Sequence, residues 1–123
     1  MFKHILVPTD GSKLSAKAAK DAVKLAKSLG AKITGFYAAP DFKSTYYGDG
    51  YILHSPSSNE QAELAQKQAR KYLSTIEVEA EMEKVPCEVF HLVSDSPYEA
   101  IIEAAKKKKC DLIFMASHGR RGL

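Results

Sequence analysis

A chain of 123 residues, 45% hydrophobic and 27% charged, has the size and composition of one globular domain that buries its core without staples. Its net charge of +3 is mild and its basic residues are spread along helical segments, so no nucleic-acid partner is implied. No apolar run approaches the roughly 18 residues of a membrane-spanning helix, and the start, Met1-Phe-Lys-His-Ile-Leu-Val7, lacks a signal peptide's apolar region, so the cytoplasm is the expected compartment.

The pattern opens with a buried strand over residues 2–8, ending at Pro8, and a turn at Thr9-Asp10-Gly11-Ser12. A helix follows with Leu14, Ala18, Ala22, Leu25, Ala26 and Leu29 on one face and lysines on the other, closed by Gly30. Residues 31–39 form a second strand, completing a βαβ unit whose crossover should be right-handed. From Pro40 to about Ser58 neither period is present; so long a loop suits a lid over a ligand or a floppy insertion equally.

Ser58-Asn59-Glu60-Gln61 has the form of a capping box. It opens a helix to about Glu83 whose apolar face is Ala62, Ala65, Ala69, Tyr72, Leu73, Ile76 and Ala80. Strand three runs from Cys87 to Val93. Ser96-Pro97-Tyr98-Glu99 reads as a helix start with Ser96 as the cap, turning Ala100, Ile101, Ala104 and Ala105 inward. Lys106 to Lys109 suit its C-terminus, where cations complement the helix dipole. Asp111 to Ala116 is strand four, continuously apolar and so expected to be covered on both faces. Cys87 and Cys110, with neither metal spacing nor a CxxC pair, read as reduced small hydrophobes, and His4 and His91 as structural strand residues.

Alternating strands and helices predict an α/β fold, a single doubly wound open parallel sheet with strands one and four at its centre. Strand four then needs a neighbour, either a fifth strand missing from this sequence or one supplied by a partner chain. Ligands of such sheets bind outside the carboxyl ends of the strands, where strand order reverses. Two loops should converge there. Pro8-Thr9-Asp10-Gly11-Ser12 offers a hydroxyl and a carboxylate for a sugar hydroxyl or a phosphate-bound metal, and Ala116 to Gly122 offers glycine amides and Arg120 and Arg121 for phosphate oxygens. Each piece also has a plainer reading. Asp10-Gly11 suits an ordinary turn, Ser12 or Asp10 suits a helix cap, and His118 suits a hydrogen-bonded loop residue. There is no GxxxxGK[ST] loop, no GxGxxG and no GxSxG elbow, so binding is favoured over catalysis.

Ile5-Leu-Val-Pro-Thr-Asp-Gly-Ser12 and Asp111-Leu-Ile-Phe-Met-Ala-Ser-His-Gly-Arg-Arg-Gly-Leu123 together resemble the two hallmark segments of the universal stress protein family. The likeness runs the length of the chain, through Gly30 and Ser94-Asp95-Ser96-Pro97. It implies an adenine nucleotide alpha hydrolase-like sheet of order 3-2-1-4-5, of which this sequence supplies 3-2-1-4, and a homodimer. One branch of the family binds ATP through a motif of Gly, two residues, Gly, nine residues, then Gly-Ser or Gly-Thr. By that resemblance the first glycine falls on Ala116 and the second on Gly119, with Ser117 and His118 between them and Gly122 in the same loop. Pro8, Thr9 and Asp10 would line the nucleotide site, Ala38 or Ala39 would border the adenine, and Met115 would cover the ribose end. Asp10 would also be the contact for Mg²⁺ carried on ATP. Ala116 places a methyl where the family's glycine lets backbone approach the ligand. The motif's last Gly-Ser and the fifth strand would lie past Leu123, so the chain is expected to continue. The implied function is ATP binding as a switch or regulator in the stress response. The alternatives are a member that binds no ATP and acts through dimerisation and protein partners, or, more weakly, a slow ATPase.

Overall fold

The computed structural model describes residues 1–40 and 58–116. In chain order these form β1 (His4–Thr9), α1 (Lys13–Leu29), β2 (Lys32–Ala39), α2 (Ser58–Met82), β3 (Cys87–Val93), α3 (Pro97–Lys107) and β4 (Leu112–Ile113). All strand pairings are parallel and the order is β3-β2-β1-β4. The order reverses between β1 and β4, as the family resemblance implies.

Ile5, Leu6 and Val7 are all fully buried because helices cover both faces of β1. Ile5 and Val7 join Ile33, Tyr37 and Ala39 beneath α1 and α2. Leu6 and Phe36 turn the other way, against Ala100, Ile101, Ala104 and Ala105 of α3. On α1 the small side chains of Ala19, Ala22 and Ala26 are fully buried while Lys13, Lys17, Lys20, Lys24 and Lys27 stay exposed. Leu14, expected on the inner face, is half exposed, and Ala62 of α2 is exposed as well. Both stand in the opening turns of their helices, and periodicity names a face without saying where along it the sheet begins.

The helix ends follow mostly from local chemistry. Ser12 Oγ accepts from the Ser15 N–H at 3.1 Å, capping α1. Gly30 closes it in the left-handed region at φ 68°, its N–H reaching the Ala26 and Lys27 carbonyls. At α3, Pro97 takes the first position as expected, but the Ser96 side chain makes no cap bond. Ser94 does the ordering instead, its hydroxyl accepting from the Ser96 N–H at 3.1 Å and donating to the Ser96 carbonyl at 3.2 Å. The lysine run does terminate α3. Beyond it Lys108 lies over the Phe90 ring, 4.9 Å from its centroid, and 3.9 Å from Glu88.

Strand four departs from expectation. Its ladder is two residues long, Ile5 with Leu112 and Leu6 with Ile113, extended by a 2.9 Å bond from the Phe114 N–H to the Leu6 carbonyl. Leu112 and Phe114 pack into the core on the α1 and α2 side. Ile113 and Met115, facing the other way, are 37% and 40% exposed. An apolar run says that a strand should be covered on both faces, but not by what; among the described residues β4 is an edge.

The amino ends of the strands carry a polar cluster. Asp111 accepts from the Lys3 and His4 N–H groups at 3.0 Å, tying β4 to β1, and these bonds hold its carboxyl below the usual range. His4 is buried with Nε2 on the Thr34 hydroxyl, which donates to Glu88 at 3.2 Å. That is the structural role expected of this histidine. No helix among the described residues is long and apolar enough to cross a membrane.

Candidate functional site

At the carboxyl edge of the sheet the chain leaves an open cleft of about 260 Å³. Its floor is the α3-side surface of two neighbouring strands, Pro8 of β1 with Phe36 and Ala38 of β2. Pro97, Tyr98 and Ile101, from the first turns of α3, form one wall, and Met115 and Ala116 follow β4 on another. The polar groups come from the β1–α1 connection: Thr9, Asp10 and Ser15.

That connection is held by its own hydroxyls and carboxylate. The Gly11 N–H donates to Thr9 Oγ1 at 3.1 Å, and the Ser12 N–H to Asp10 Oδ1 at 2.8 Å. Thr9 Oγ1 lies 3.0 Å from Ser15 Oγ, which itself donates to the Ser12 carbonyl at 2.9 Å. The plainer reading of Asp10-Gly11 as a turn is therefore part of the structure, and the cap falls to Ser12. Asp10 is nonetheless exposed and lines the cleft, so one carboxylate closes the turn and borders the ligand space.

The turn rests on α2. Gly11 adopts φ +82°, and a Cβ built there would meet ring carbons of Tyr72 at 2.5 Å. The Tyr72 ring stands edge-on to that of Tyr37, with centroids 5.2 Å apart at 85°. Burial raises the Tyr37 phenol's pKa, with the Tyr72 and Asp10 charges adding to it. The Asp10 turn thus has Tyr72 behind it and the cleft in front.

Of the residues singled out by sequence, Pro8, Thr9, Asp10, Ala38, Met115 and Ala116 all line this cleft. Ala39 is fully buried in the core under α1 and α2 and takes no part in the lining. Ser117, His118, Gly119 and Gly122 lie outside the described residues, as do Arg120, Arg121 and the long loop from 41 to 57 with His54. Sequence reasoning missed Ser15, Phe36, Pro97, Tyr98 and Ile101 as lining. A signal for the α3 residues was present: in a parallel sheet the helix after each strand starts at the carboxyl edge, so Pro97 and Tyr98 had to stand near the cleft. Among the described residues no group of three or more His, Cys, Asp or Glu could hold a metal ion, and Asp10 is the one carboxylate that lines the cleft.

A parallel sheet of this order with its cleft at the switch point defines an adenine nucleotide alpha hydrolase-like α/β fold. The sequence matches the profile of the universal stress protein family over residues 1–123, and the chain belongs to that family. It is 31% identical to universal stress protein MJ0531 of Methanocaldococcus jannaschii, over all of this chain and 69% of the relative. Among solved structures, a universal stress protein family member from Burkholderia pseudomallei superposes with a TM-score of 0.77 at 20% identity, over 95% of this chain and 83% of the other. A universal stress protein in complex with cAMP gives 0.66 at 22%, over 93% and 75%. One from Archaeoglobus fulgidus in complex with dAMP gives 0.61 at 16%, over 92% and 78%.

Proposed function

We propose that this protein binds an adenine nucleotide in the cleft between β1, β2, α3 and β4, and that the nucleotide acts as a switch or regulator in a cytoplasmic stress response. The observation that carries this reading is the division of the cleft. Phe36, Ala38 and Ile101 offer an apolar slot for a flat base, while Thr9 and Asp10, with the buried Ser15 hydroxyl behind Thr9, offer hydrogen-bonding groups for sugar hydroxyls at its rim. Solved relatives with cAMP and dAMP support the ligand class. ATP is the particular nucleotide implied by the end segments, and where Mg²⁺ accompanies it, Asp10 is the carboxylate available, the other positions going to phosphate oxygens and water.

The test is calorimetric titration of the wild type and two Asp10 variants with ATP. Asp10→Asn keeps an oxygen for the Ser12 N–H and removes only the charge; Asp10→Ala removes both. Loss of the charge in Asp10→Asn, and of charge and acceptor together in Asp10→Ala, should each weaken binding by about tenfold or more, with or without Mg²⁺. A wild type that binds no adenine nucleotide would end the proposal.

A second reading rests on Ile113 and Met115, apolar and more than a third exposed beside the edge of β4. Here the protein acts through a homodimer or a protein partner across that edge and binds no ATP. Sedimentation showing a dimer that Ile113→Lys dissociates, in a protein silent to ATP, would favour it.

A further inference from the structure

We infer that Tyr98 closes the base end of this cleft and stacks on the purine, which makes it a further binding residue of the site; the inference rests on the nucleotide reading above. Apart from the Tyr98 hydroxyl, the polar side chains of the described lining all belong to the β1–α1 connection, so among the described residues the sugar finds its partners at that end. The remaining lining is apolar, and Phe36 and Ile101 are buried within it by the protein itself. Tyr98 is different. It lines the cleft and yet stays 54% exposed, and Met115, also in the lining, is 40% exposed. An aromatic face and a thioether left half-covered around a slot are what a planar ring would bury on entry.

The backbone beneath Tyr98 is already set. Pro97 occupies the first helical position with its φ restricted, and the Ser94 hydroxyl holds Ser96 from both sides of the peptide. Little ordering of this wall is left to be done on binding, and a tyrosine side chain loses few rotamers when it stacks.

Titration of ATP into the wild type, Tyr98→Ala and Tyr98→Phe tests the assignment. Because stacking needs a ring but no hydroxyl, Tyr98→Ala should weaken ATP about tenfold while Tyr98→Phe stays within about twofold of the wild type. The exposed position makes both variants fold normally, which far-ultraviolet dichroism and the urea midpoint will show. If the wild type binds ATP and Tyr98→Ala binds it equally well, Tyr98 is no part of the base site and only this inference falls. A phenylalanine variant as weak as the alanine one overturns stacking in favour of the hydroxyl. Failure of the nucleotide reading shows in the wild-type titration alone, and takes this inference with it.

Discussion

Substituting Gly11 by alanine probes the contact that holds the Asp10 turn. Two effects add. An alanine at φ +82° meets the left-handed backbone penalty of about 1–2 kcal/mol. The new methyl would also lie 2.5 Å from two ring carbons of Tyr72, well inside van der Waals contact, so the ring or the turn must move. The ring is not free to swing, because its edge-on partner Tyr37 is only 6% exposed. Forcing it away costs a further ~1–2 kcal/mol in overpacking and lost ring contact. Gly11→Ala should therefore destabilise the fold by about 2–4 kcal/mol in urea unfolding, with the midpoint lowered and the slope unchanged. The two effects separate in a double-mutant cycle. In a Tyr72→Ala background the clash disappears and Gly11→Ala should cost only the backbone part, a coupling of about 1–2 kcal/mol. A Gly11→Ala variant that is neutral within ~0.5 kcal/mol, or that costs the same in both backgrounds, would show that Tyr72 does not press on the turn.

Two further outcomes follow from buried titratable groups. Burial, aided by Lys32, lowers the His4 pKa from its ordinary 6.5. The unfolded chain then takes up a proton near pH 6.5 that the folded chain refuses until lower pH, so stability is fully present above 6.5 and falls as pH drops below it, by at most about 1.4 kcal/mol per pH unit. His4→Gln should flatten that part of a stability–pH curve measured by urea unfolding; a variant with the same slope as the wild type between pH 5 and about 6.5 would show that the histidine does not titrate this way. Burial, with Glu77 adding, pushes the Cys87 thiol from 9.0 up to about 11, and burial raises Cys110 as well. With about two units less acidity the Cys87 thiolate fraction at pH 8 falls roughly a hundredfold, and the greater nucleophilicity of the more basic thiolate restores about tenfold. It should therefore react with a disulfide reagent roughly tenfold more slowly than a free thiol. Labelling at the free-thiol rate in the native protein would contradict this.

Much of the fold was legible because the signals that encode it are local. The order of elements, the β1–α1 turn and the Gly30 stop are written in apolar period and turn chemistry within a few residues of each other. The parallel sheet followed from the alternation of elements, while its order 3-2-1-4 came only with the family resemblance. The site was legible in part for the same reason: Pro8, Thr9 and Asp10 sit at a strand end, and strand ends meet at the switch point. Ser96 shows the limit of local reading, since a sequence suited to a capping serine says nothing of Ser94 holding the Ser96 backbone while the Ser96 side chain makes no cap bond. Leu14 shows another, since a helical stripe does not reveal where the sheet stops covering it.

By itself, then, the amino-acid sequence determined the succession of elements, the face each helix presents and the polar turn that borders the cleft. Only the tertiary structure decided which residues face that turn. Tyr72 reaches Gly11 from α2, Tyr98 overlooks the cleft from α3, and Ala38 enters the lining while Ala39 turns into the core. It also placed β4 at the described edge, with Ile113 and Met115 uncovered. The physical reason is one of range. Period, caps and turns are fixed by neighbours along the chain, whereas a cleft wall is assembled by strand register and helix packing from segments tens of residues apart.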